Sequence, residues 1–177
     1  FLSSLINGKR TYDIPDSKIH RLWYPELKRL LAKTDQVTSR RLADASYREL
    51  DIKTSMKLST ISAKIIHAYE DGACNTFRKS KELGIQCSYE LPIAYWATSR
   101  RLLAEEAERY PHWEPTLEAT WEPEEKLCTK EQELQLADRI TCPSKFVMES
   151  IPPEIRNRVP CQISHFGSPR NSPIPVS

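Results

Sequence analysis

Glycine is scarce in this chain. Only Gly8, Gly72, Gly84 and Gly167 occur among 177 residues, so the sequence holds no Gly-x-Gly-x-x-Gly turn of the dinucleotide-binding kind. Five cysteines, Cys74, Cys87, Cys128, Cys142 and Cys161, are odd in number and include no Cys-x-x-Cys pair. That argues against a structural zinc site and a disulfide framework, and the thiols read as reduced, small core fillers. No run approaches the ~20 continuous apolar residues that a membrane-spanning helix needs. Residues 1–5 carry neither a basic lead nor a long apolar stretch, so no signal peptide is visible. There is no starting methionine either, and the chain reads as a fragment. An excess of one charge is also lacking. With 26 basic and 24 acidic residues the net charge is +2, without the clustered basic face of a dedicated nucleic-acid binder.

What is present is ordinary for a globular domain: 39% hydrophobic and 28% charged residues, enough for one core. Residues 1–60 read as a helical N-terminal part. Apolar positions from Ile19 to Leu31 recur at helical spacing, with Pro25 near the helix start. Ser39 is a candidate cap for a second helix, and a third, less regular stretch runs from Leu50 to Ile61. Residues 61–166 then alternate. Residues 64–69 form an apolar, β-branched strand, residues 73–83 a helix stopped by Gly84, and residues 85–91 a second strand closed by Pro92. A strand, a helix and a strand in so short a span demand parallel pairing and a right-handed crossover. Helices follow at 95–109 and from Pro123 to 137. A third strand at 138–142, a short helix capped by Ser144 and a fourth strand at 161–164 complete the pattern. Residues 167–177 have the composition of a linker.

Alternation of this kind predicts an α/β, Rossmann-like domain with a mostly parallel sheet covered by helices on both faces. Ligands of such sheets gather at the carboxyl ends of the strands. That rule singles out Glu70 and Asp71 after the first strand, Glu90 and Tyr95 after the second, and Ser144 after the third. Glu70 and Asp71 suit hydrogen bonds to ligand hydroxyls, and Asp71 equally suits an N-cap of the helix that follows. His67 is either a satisfied core histidine or a cleft group. Tyr95 and Trp96 either stack on a ligand's ring or face the core. The free N–H groups after Ser144 suit an anion.

Three segments carry a resemblance. Ile65-Ile66-His67-Ala68-Tyr69-Glu70 is similar to the "vvHaH" strand of family 4 glycosyltransferases. Residues 136–146, containing Ala137-Asp138 and Pro143-Ser144-Lys145-Phe146, resemble that family's "AD.vi..S.f" segment. Ile163-Ser164-His165-Phe166-Gly167 resembles its "i.yGvd" crossover. Order and spacing of the three agree with the family over residues 64–167. Two features depart from it: there is no glycine-rich loop after an initial strand, and Glu90-Leu91-Pro92 stands where a histidine often follows the second strand. Glu125 and Glu133 have the spacing of the family's donor-site glutamates, but they precede the crossover and read as coincidence.

The resemblance implies the acceptor-side half of a GT-B fold, whose donor-binding half would follow as a second domain. It implies a retaining hexosyltransferase that passes a sugar from a nucleotide sugar to an acceptor hydroxyl. His67, Glu70, Asp71, Glu90, Tyr95 and Ser144 would contact the acceptor, a sugar or lipid-linked sugar. The resemblance assigns no catalytic residue, no metal and no cofactor in this half, and no nucleic-acid partner. It implies a cytoplasmic enzyme with peripheral contact at the inner membrane surface, inactive as this half alone. The alternatives from other classes are a nicotinamide-dependent Rossmann oxidoreductase and a non-enzymatic flavodoxin-like interaction module.

Overall fold

The computed structural model describes residues 14–31, 36–117 and 122–167. Two helices come first, α1 (Trp23–Leu31) and α2 (Gln36–Lys57). β1 (Ile65–Tyr69), α3 (Cys74–Glu82) and β2 (Gln86–Glu90) follow. The long connection to β3 (Arg139–Cys142) carries α4 (Trp96–Arg109) and α5 (Glu124–Leu136). α6 (Lys145–Ser150), α7 (Pro153–Arg158) and β4 (Cys161–Ile163) close the described chain.

The expected α/β fold with a parallel sheet flanked by helices is present. All four strands are parallel, in the order β1-β2-β3-β4. Alternate side chains, Ile66, Ala68, Cys87, Tyr89, Ile140 and Cys142, point to one face. There they meet Phe77 of α3, Leu134 of α5, Val147 of α6 and Ile155 of α7 in one core. A strand order that never reverses, joined by right-handed crossovers, sends every connecting helix to the same side. On the second face Ile65 and Tyr69 of the edge strand are 53% and 60% exposed, while Glu90 and Thr141 further into the sheet are buried.

The turn chemistry is local and legible. α3 ends in a Schellman motif: Ile85 N–H donates to the Ser80 carbonyl at 2.8 Å and Gly84 N–H to that of Lys81 at 3.3 Å. Gly84 has φ +70°, which a residue with a Cβ adopts only with strain. Asp138 fixes the start of β2, because its carboxylate accepts from Cys87 N–H at 2.8 Å and its own N–H donates to the Cys87 carbonyl.

Three expectations are corrected. Ser39 lies inside a single 22-residue α2, so it caps nothing, and the two helical stretches expected there are one. α7 was not anticipated; Pro153 opens it at the first helical position, where a missing N–H costs nothing. Pro123 is the N-cap of α5 rather than its first turn. Residues 1–13 and the linker-like 168–177 lie outside the described residues.

Candidate functional site

The carboxyl end of β1 delivers Glu70 and Asp71 into a set of charges on the helix-covered side. Lys130 of α5 is almost fully buried, with Nζ 3.5 Å from Glu70, 3.7 Å from Asp71 and 3.0 Å from Glu122. Lys126, one turn earlier, lies 2.9 Å from Asp44 of α2, 3.3 Å from Asp71 and 3.0 Å from Glu122. Four carboxylates thus share two ammonium groups. Burial pushes the Glu70 carboxyl up to about 7, with Lys130 opposing and Asp71 and Glu122 adding to the rise. Burial likewise raises Asp71 against the pull of Lys130 and Lys126. For Lys130 burial acts downward, but Glu70, Asp71 and Glu122 outweigh it and hold the ammonium above its ordinary value. An ammonium so fully committed to carboxylates has little left to offer a phosphate.

Beside this cluster the N-terminus of α3 is closed by two carboxylates from distant helices. Glu133 of α5, fully buried, accepts from Ala73 N–H at 2.8 Å, Asp71 N–H at 3.0 Å, Cys74 N–H at 3.2 Å and the Tyr89 hydroxyl at 3.2 Å. Burial pushes its carboxyl up to about 7 against the pull of those backbone donors. Asp51 of α2, also buried, accepts from Asn75 N–H and Thr76 N–H at 2.8 Å each. The helix-capping role expected of Asp71 therefore belongs to Glu133 and Asp51. Asp71 instead takes a left-handed turn, φ 72°, and faces the lysines.

The open face carries a different group. His67 Nε2 lies 3.5 Å from Glu90 Oε2, and its Nδ1 lies 3.1 Å from Ser88 Oγ. Serine, histidine and carboxylate stand in line, but Ser88 sits mid-strand in β2. Its neighbouring N–H groups are committed to the ladder with β1 and β3, so they form no oxyanion hole for an acyl-transfer nucleophile.

The six residues expected to share one site are therefore divided. Glu70 and Asp71 come together on the helix side, and His67 and Glu90 come together on the opposite face. Tyr95 is buried, with its hydroxyl 2.7 Å from Glu131 and its N–H 2.8 Å from Ser150 Oγ. Burial and Glu131 raise its phenol well above the ordinary range. Ser144 caps α6, its Oγ accepting from Val147 N–H at 3.2 Å. Glu125 and Glu133 also part: Glu125 pairs on the surface with Arg48 at 3.2 Å while Glu133 is interior.

Sequence reasoning missed Asp51, Glu122, Lys126, Lys130 and Glu133. A signal existed for two of them. Leu127, Lys130, Glu133 and Leu134 form the buried face of α5, and a charge recurring at the helical core period requires a buried partner. Among the described residues no group of three or more His, Cys, Asp or Glu is arranged to hold a metal ion. No described helix is long and apolar enough to cross a membrane. Compared with family models, curated proteins and solved structures, the chain matches none.

Proposed function

We propose that this chain is the acceptor-side half of a retaining glycosyltransferase of the family 4 type, with the nucleotide sugar held by a second, donor-binding domain. One observation carries the reading. The three segments that resemble the family fall on β1, on β3 with its turn into α6, and on the end of β4 and the residues after it, three parallel strands whose carboxyl ends reach the same edge of one sheet. In this reading the half presents an acceptor hydroxyl toward the donor, and catalysis rests on positioning and on neutralising the departing diphosphate. Arg and Lys of the donor domain supply that neutralisation. The enzyme works at the cytoplasmic side of a membrane on a sugar or lipid-linked sugar.

The dinucleotide alternative gains no support. A pyrophosphate would rest on the N-terminus of the helix after β1, and those N–H groups already donate to Glu133 and Asp51.

The test uses the intact gene product with a panel of nucleotide sugars and saccharide or lipid-linked acceptors. Release of nucleoside diphosphate, with retained anomeric configuration in the product by NMR, is the expected result. Absence of both transfer and nucleotide-sugar hydrolysis across the panel would refute the proposal.

A further inference from the structure

A groove of about 340 Å³ opens between α2, the N-terminus of α3 and α5. Two ion pairs span it, Arg48 to Glu125 at 3.2 Å and Lys126 to Asp44 at 2.9 Å. We infer that this groove is a binding site for an uncharged, polyhydroxylated ligand, a sugar of one or two rings; the assignment rests on the transferase reading and places the acceptor within it.

Three observations lead there. The volume lies within the ~300–1,000 Å³ range of small-molecule sites. The lining is dominated by hydrogen-bonding side chains of both kinds: Arg48, Arg78, Asn75 and Gln132 carry N–H groups beyond those they already donate, while Asp44 and the Thr129 hydroxyl, which itself donates to the Glu125 carbonyl, can accept. A sugar hydroxyl does both, so a mixed lining suits it better than a ligand of one polarity.

Charge then removes the anionic alternative. Asp44, Asp51, Asp71, Glu125 and Glu133 line the groove against Arg48, Arg78 and Lys126, five carboxylates to three cations. The helix N-terminus at its floor has its N–H groups occupied by Asp51 and Glu133. A phosphate would meet the repulsion of the carboxylate excess and find the helix N-terminus already taken, whereas a neutral polyol meets no such repulsion. Ile52, Cys74 and Pro123 give a limited apolar wall for the ring's C–H face.

The experiment titrates the isotopically labelled chain with methyl glycosides of glucose, galactose, mannose and N-acetylglucosamine, with glucose 1-phosphate as the anionic control. At least one neutral glycoside should bind at millimolar strength, with amide shifts concentrated at Asn75, Thr129 and Gln132. Glucose 1-phosphate should bind at least about tenfold more weakly than that glycoside. Arg48→Met alters an exposed position and Thr129→Val is nearly isosteric at a half-buried one, so both should keep the remaining spectrum, yet each should weaken glycoside binding severalfold. Shifts centred elsewhere, preference for the phosphate, or no shift at tens of millimolar would overturn the assignment. The parent reading fails separately. Transfer by the intact enzyme with acceptor KM unchanged in both variants would sink the groove and leave the transferase standing. Glycoside binding in the groove without any transferase activity would do the reverse.

Discussion

Asp51→Ala is the sharpest test of how α2 is fixed to the α/β core. The Asp51 side chain is only 4% exposed and accepts three hydrogen bonds of 2.8 Å: Asn75 N–H, Asn75 Nδ2 and Thr76 N–H. Hydrogen bonds to an ionised acceptor contribute about 1.5–3 kcal/mol each when buried, and loss of a helix cap alone costs about 1 kcal/mol. The groove beside Asp51 admits water that would satisfy part of what is lost, so the sum is an upper bound. About 3 kcal/mol is expected, a large share of the 5–15 kcal/mol typical of a domain. Asp51→Asn keeps one acceptor oxygen and should cost about 1 kcal/mol. Asp44→Ala, which breaks only the half-exposed pair with Lys126, should cost less than about 1 kcal/mol. Urea unfolding followed by far-ultraviolet circular dichroism reads these as midpoint shifts at constant slope, and hydrogen exchange should quicken first at Asn75 and Thr76. If Asp51→Ala unfolds within 0.5 kcal/mol of the parent, α2 is not anchored through that carboxylate.

Two further perturbations address the buried charge and the turn. Glu70 has its folded carboxyl pushed from 4.5 up to about 7, so the native state holds the proton more tightly than the unfolded chain; the stability this group contributes is complete below about pH 4.5 and is lost as pH rises through about 7. Glu70→Gln removes that loss, so from about pH 5 to pH 8 urea midpoints should move in the variant's favour by up to about 3 kcal/mol, at about 1.4 kcal/mol per pH unit; a parent-to-variant difference that stays flat with pH would contradict it. Gly84→Ala meets no atom within 4 Å of the added Cβ, so its cost is the left-handed backbone alone, about 1 kcal/mol, and a urea midpoint unchanged by the substitution would mean that the turn does not require φ > 0.

The core of the fold was legible because its signals are short-range. The β-branched, apolar run at 65–69, Pro92 after β2, Gly84 at the helix end and Pro143-Ser144 after β3 each act on residues within one turn of themselves. α2 was misread for the opposite reason: its mid-sequence Ser39 resembles a cap, and what holds the helix, Asp51, reaches residues 24 and 25 positions away. The closure of α3 was invisible on the same ground, since Glu133 reaches Ala73 across 60 positions.

The division of the expected site has a geometric cause that parity already contains. Successive residues of a strand face opposite ways, so Tyr89 in the core forces Glu90 to the open face, and Ile66 and Ala68 in the core force His67 there with it. Glu70 would continue that alternation toward the helices, and the left-handed turn at Asp71 keeps both acids on that side. Glu70, Asp71 and Glu90 lie at the carboxyl ends of their strands and His67 sits in the middle of β1, but the axis perpendicular to the sheet divides them. That second axis separates a His67–Glu90 pair on the open face from the lysine-bound Glu70–Asp71 pair under the helices. Among the described residues the groove of about 340 Å³ between α2, α3 and α5 lies on the latter side, so the acceptor site proposed above and the His67–Glu90 pair are on opposite faces of the sheet.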